Sequence, residues 1–153
     1  MRYLKKYIYL LNVVILIGCT VTKTICPCEA PEIIRLGKKE IQINAQVSLI
    51  DTTTSGRMKI KIWLTTLDHT TLPGDFKADY YYLRSSNLAR AAFEGKFTRT
   101  STDTIKGILE LEASDAPHCD QNELVDVAVH LIDIHGRTHF LKKGSLPIQP
   151  VNR

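Results

Sequence analysis

Residues 125–141 read VDVAVHLIDIHGRTHFL, and this stretch decides the fold. Val125, Val127, Val129 and Leu131 alternate with Asp126, Ala128 and His130. Side chains of a strand point to opposite faces in turn, so one row meets a core and the other faces outward. Asp133-Ile134-His135-Gly136 interrupts the pattern. Asp at the first turn position and Gly at the fourth suit a type I turn closed by a glycine bulge. Residues 138–143 return as the partner strand. With the bulge, His139 falls opposite Leu131 and His130 opposite Phe140, so the two histidines point to opposite faces. With a two-residue turn they would share a face, one position out of register. Either way the plain reading is sheet-surface histidines rather than a shared metal site.

Outward from this hairpin the same period continues. Ile41, Ile43, Ala45, Val47 and Leu49 alternate with polar residues, and Met58, Ile60, Ile62 and Leu64 alternate with Lys59, Lys61, Trp63 and Thr65. Thr52-Thr53-Thr54-Ser55-Gly56 between them reads as a turn. Residues 77–84 are aromatic and strand-like. Residues 87–94 (NLARAAFE) favour a short helix, because alanine and leucine lose little on becoming helical. Residues 98–103 read as a polar edge or loop, and residues 105–113 alternate again. Residues 114–123 form a loop with Pro117, His118 and Cys119, and Pro147 and Pro150 bound a short extended tail. The pattern predicts an all-β chain of about seven strands, an antiparallel sandwich.

The spacing V-x-V-x-V-x-x-x-D-x-x-G, carried by Val125, Val127, Val129, Asp133 and Gly136, resembles the last hairpin of bacterial immunoglobulin-like domains. The resemblance implies an immunoglobulin-like β-sandwich over residues 32–153. It carries no activity with it, since fold alone does not fix function.

The opening residues are MRYLKKYIYLLNVVILIGC. Arg2, Lys5 and Lys6 precede an apolar stretch, residues 7–17, that is shorter than the roughly 20 residues of a membrane span. A positive start, a short apolar core and a small residue before the cut mark a secretory signal peptide. Leu16-Ile17-Gly18-Cys19 resembles the lipobox of bacterial lipoproteins. That resemblance implies cleavage after residue 18, with Cys19 diacylated, its new amino group acylated, and the chain held to a membrane by palmitate-like chains. Each buried methylene adds about 0.8 kcal/mol, so several chains anchor firmly. Thr20, where enterobacterial retention signals carry aspartate, implies the outer membrane of the cell envelope. Residues 19–31 read as the lipidated cysteine and a tether.

Three of the 20 basic residues leave with residues 1–18, which hold no acidic residue, so 17 basic face 16 acidic groups over the remaining 135 positions. That near-neutral balance argues against a nucleic-acid partner. Export implies an oxidising compartment. Cys26, Cys28 and Cys119 then suggest a disulfide from Cys26 or Cys28 to Cys119, which would tie the tether to the loop. The rival reading gathers Cys26, Cys28, His118 and Cys119 around zinc or copper, since tetrahedral thiolate and imidazole ligands suit both.

Catalytic patterns are weak. Glu110 and Glu112 share one face of a strand rather than opposing each other across a cleft, as a glycosidase needs. No G-x-S-x-G or S-x-x-K frames a nucleophile, and no glycine loop frames a phosphate. The expectation is a non-enzymatic, cofactor-free, lipid-anchored binding or assembly module. Its partner would be another envelope protein or a glycan, and Trp63 and Tyr81 are the aromatic residues predicted to meet it.

Overall fold

A computed structural model describes residues 27–50, 57–74, 76–85, 92–103, 106–117, 119–120 and 122–150. The lipobox-like Leu16-Ile17-Gly18-Cys19, Cys26, His118 and the predicted turn at residues 52–56 lie outside the described residues. Among those described, the chain is nearly all strand. One short 3-10 turn, Pro27–Glu29, precedes β1 (Ile33–Leu36), β2 (Lys39–Leu49), β3 (Met58–Thr66), β4 (Phe76–Ser85), β5 (Phe93–Lys96), β6 (Arg99–Asp103), β7 (Ile108–Ala116), β8 (Leu124–Asp133) and β9 (Thr138–Gln149). The order across the sheet is β5-β4-β8-β9-β2-β3-β7-β6, with β1 paired to β2 beside that path.

The period of two explains the strands. In β3 Met58, Ile60, Ile62, Leu64 and Thr66 are buried while Lys59, Lys61, Trp63 and Thr65 are half-exposed. β7 buries Leu109, Leu111 and Ala113 in phase with it, and β2 adds Ile41, Ile43, Val47 and Leu49. On the other wing, Tyr81 and Leu83 of β4, Val125, Val127, Val129 and Leu131 of β8, and Leu141 of β9 point inward. Both wings contribute to one hydrophobic cluster, so the sheet curls until its two halves bury a shared core. Each Val, Leu or Ile taken fully from water contributes about 1.5–3 kcal/mol.

The pairing departs from the purely antiparallel expectation. β2 and β9 run parallel where they meet, with Val47 opposite Ile148 and Ser48 opposite Gln149. This seam joins the two wings. Among the described residues nine strands stand where about seven were predicted. β1 and β5 have four residues each, too short to show a period. β6, read as an edge or loop, is an edge strand paired to β7. Of the predicted helix at residues 87–94, Phe93 and Glu94 belong to β5, and residues 87–91 lie outside the described residues. Gly95 explains this strand: a Cβ there would stand 2.5 Å from Tyr81 Cζ, so only glycine lets β5 cross the buried tyrosine ring. The predicted tail is strand as well. β9 runs on through Pro147 because Asp126 Oδ1 accepts the Ser145 N–H at 2.9 Å, replacing a ladder bond at a register shift.

Candidate functional site

The last hairpin forms in the predicted register. His130 faces Phe140, Leu131 faces His139, and Gly136 takes φ 72°, the left-handed conformation that a glycine bulge requires. Asp133 holds the turn together. Its Oδ1 accepts the N–H groups of His135 and Arg137, both at 2.9 Å, and its Oδ2 accepts Arg137 Nε at 2.7 Å. His139 Nε2 approaches the same oxygen at 3.3 Å. Burial pulls the carboxyl up, but these donors outweigh it and hold Asp133 well below the usual carboxylate range.

The outward face of β4, β8 and β9 carries the main cluster. Tyr80 stacks on His130 at 4.3 Å between ring centres, with 15° between planes. Phe140 lies 4.9 Å from His130 on its other strand neighbour. Tyr82 meets Tyr80 edge-on at 5.4 Å and Phe140 at 6.0 Å. Such pairs contribute about 0.5–1.5 kcal/mol beyond area burial. Consecutive tyrosines must alternate in direction, so Tyr80 and Tyr82 lie outward and half-buried while Tyr81 points inward.

A bulge makes the cluster possible. The β4–β8 register shifts between Ala78 and Tyr80, leaving Asp79 as the extra residue. Bulges re-aim side chains, and here the carboxylate turns onto the sheet face. His130 Nδ1 donates to Asp79 Oδ1 at 2.6 Å, and the Tyr80 N–H donates to the same oxygen at 2.9 Å. A carboxylate on Nδ1 is also how a catalytic histidine is oriented. His130, however, is only 5 % exposed, lying against Tyr80 and Phe140. The pair therefore fixes the rings. Burial comes first, and hydrogen bonding to Tyr80 and Glu94 second, in pushing the Tyr82 hydroxyl upward, so it stays protonated as a donor.

Tyr81 corrects the sequence reading. It is 0 % exposed, in the core rather than at a contact surface, and its hydroxyl donates to Asp115 Oδ1 of β7 at 3.1 Å. Burial and then Asp115 push its hydroxyl upward. Trp63 is half-buried on the outward face of β3, between Asn44 and Glu110 in the register. Glu110 and Glu112 share a face as expected, and they pair with lysines: Glu112 with Lys59, and Glu110 with Lys61 at 3.9 Å. Lys59 first, against some desolvation, lowers the Glu112 carboxyl.

The thiols bear on the metal reading. Cys28 is disulfide-bonded, and Cys119 is buried at the core. Cysteine ligates metal as the thiolate, so Cys28 could join a zinc or copper centre only after reduction. Among the described residues no three His, Cys, Asp or Glu side chains gather as a metal site. Cys26 and His118 lie outside them. The segment before β1 is stitched to β9: Lys142 Nζ donates to Cys28 O at 2.7 Å, Lys142 N to Pro31 O at 2.9 Å, and Lys143 Nζ to Glu32 Oε2 at 2.9 Å.

Sequence reasoning passed over Asp79, Tyr80, Tyr82 and Phe140 as a group. The available signal was the Asp before three consecutive tyrosines, opposite a valine-rich strand carrying one histidine. Among the described residues no helix is long and apolar enough to cross a membrane. Comparison with protein-family models finds none that matches the chain, and comparison with curated proteins finds no match either.

Proposed function

We propose that this chain is a non-catalytic cell-envelope lipoprotein, anchored through lipid on Cys19, whose β-domain is an immunoglobulin-like binding or assembly module. The anchor rests on Leu16-Ile17-Gly18-Cys19 behind a short, positively flanked apolar stretch. The immunoglobulin-like reading is supported by strand order: β2-β3-β7-β6 runs as A-B-E-D does in such sandwiches, and β4-β8-β9 runs as C-F-G. The binding reading is carried by one observation, the half-exposed ring cluster of Tyr80, Tyr82 and Phe140 locked by His130 and Asp79. An aromatic centre inside a charged rim, here Glu94, Lys96 and Arg84, is the anatomy of a protein contact, and rings on an open sheet face also suit a glycan. The partner is another envelope protein or a glycan.

Two experiments test this. Changing Cys19 to Ala should abolish palmitate labelling in cells and release the protein from membranes. Persistent labelling would remove the anchor from the proposal. Crosslinking from intact cells, followed by mass spectrometry, should recover one envelope protein, or a peptidoglycan or polysaccharide fragment, in near-equal amount. Tyr82→Ala, an anchor-type truncation worth about 2 kcal/mol or more, should cut that recovery sharply. Unchanged recovery would place the contact elsewhere, and recovery of nothing specific from the wild-type chain would sink the binding reading.

A further inference from the structure

At the end of the sheet where the β8–β9 turn, the β1–β2 turn and the loop before β4 converge, there is a hollow of about 280 Å³. Its wall is apolar: Leu36 is buried at 6 %, Phe76 packs against the core, and Pro73 closes one side. Ile134 stands at its mouth, 67 % exposed, the most exposed large apolar side chain among the described residues. The other mouth groups are basic. Among the described residues Lys38, Lys39 and Arg137 line it, with His135 beside them, against one carboxylate, Asp133.

The charges are not equally available. Asp133 has both oxygens occupied by the turn donors already described, so it has little left to offer a cation. Lys39 donates to Thr70 Oγ1 at 2.8 Å and also to Thr71 O, so it ties the loop to the mouth while keeping its charge there. Arg137 uses Nε on Asp133, yet its side chain stays 67 % exposed. Guanidinium carries five N–H donors in a fork that fits a carboxylate or phosphate. Lys38 is exposed. The described residues of the mouth therefore present net positive charge beside an apolar wall. At about 30 Å³ per water-sized group, the hollow holds on the order of ten non-hydrogen atoms.

We propose that this hollow binds a small amphipathic anion, one carboxylate or phosphate group carried on a short apolar body. The head group meets Lys38 and Arg137, and the body lies on Leu36, Phe76 and Ile134. The site is separate from the ring cluster, and nothing in it depends on the anchor or on the identity of the envelope partner.

The test is a methyl and amide NMR titration of the full chain with hexanoate and, separately, butyl phosphate. Hexanol supplies the body without the charge, and inorganic phosphate the charge without the body. Saturable shifts at the Ile134 methyl and the Gly37 and Gly136 amides are expected, with the Ile148 methyl at the far end unmoved. Whichever of hexanoate and butyl phosphate binds more tightly names the head group. Lys38→Glu, in an exposed turn, should weaken binding about tenfold, the loss of one charge-assisted contact, and Ile134→Ser should weaken it as well. Unmoved Ile148 and Tyr81 signals show that both variants fold. Failure to saturate at millimolar ligand overturns the proposal, as does equal binding of hexanol or of bare phosphate, or indifference to Lys38→Glu.

Discussion

At the scale of single residues, Asp79 does the most with the least sequence signal. A strand aspartate among aromatics looks like a surface charge. The bulge makes it the acceptor for a histidine that is otherwise enclosed by rings. Removing it in Asp79→Ala leaves His130 Nδ1 buried without its acceptor, which should cost about 1–3 kcal/mol. Urea denaturation would measure this, and a loss within error of zero would mean that the ring cluster holds His130 unaided. Tyr81 shows why a site prediction failed at this scale. Three tyrosines in a row carry no alternation of polarity, and their flanks disagree: Lys77 and Asp79 put Tyr81 on the polar row, Leu83 puts it on the apolar one, because the bulge shifts the phase. The direction of Tyr81 follows from the partners it meets, Gly95 beneath the ring and Asp115 beyond the hydroxyl.

Among elements, the β8–β9 hairpin was the most legible, because strand period and turn chemistry both favour the bulged register that forms. Asp133 explains its closure and gives it a pH dependence. Its folded carboxyl lies below the unfolded value of about 3.9, so its stabilising effect is complete above that value and is lost as pH falls through the folded one. Wild-type protein should therefore melt above Asp133→Asn at neutral pH, with the gap closing as pH drops below about 4. A gap that stays constant into stronger acid would show that the charge on Asp133 is irrelevant to the turn. Elements broken by apparent stop signals were the least legible. Gly144, Ser145 and Pro147 suggest the end of β9, yet Ser145 adopts φ 56° and lets the strand continue. No rule of propensity reveals that Asp126, on the neighbouring strand, supplies the missing acceptor.

Across the whole molecule, alternation revealed the class and most of the core, and left the closure hidden. Ile148 lies in a stretch that reads as tail, yet it is 5 % exposed and pairs with Val47 across the parallel seam. Ile148→Ala should cost about 2–5 kcal/mol, the range for truncating a buried aliphatic side chain. Because the seam joins residues about a hundred positions apart, it carries a large loop-closure entropy. The loss should then appear chiefly as faster unfolding in stopped-flow kinetics. An unfolding rate that stays put while refolding slows would place the seam in the folding nucleus instead. The stitches between residues 28–32 and Lys142 and Lys143 matter in another way. A mechanical load drawn through the N-terminal segment does not first peel β1 from the edge of β2. It arrives at β9, in the middle of the strand order, through a side-chain clamp, two further hydrogen bonds and whatever the Cys28 disulfide joins. A chain tugged from that end would transmit tension into its own centre and resist as a unit.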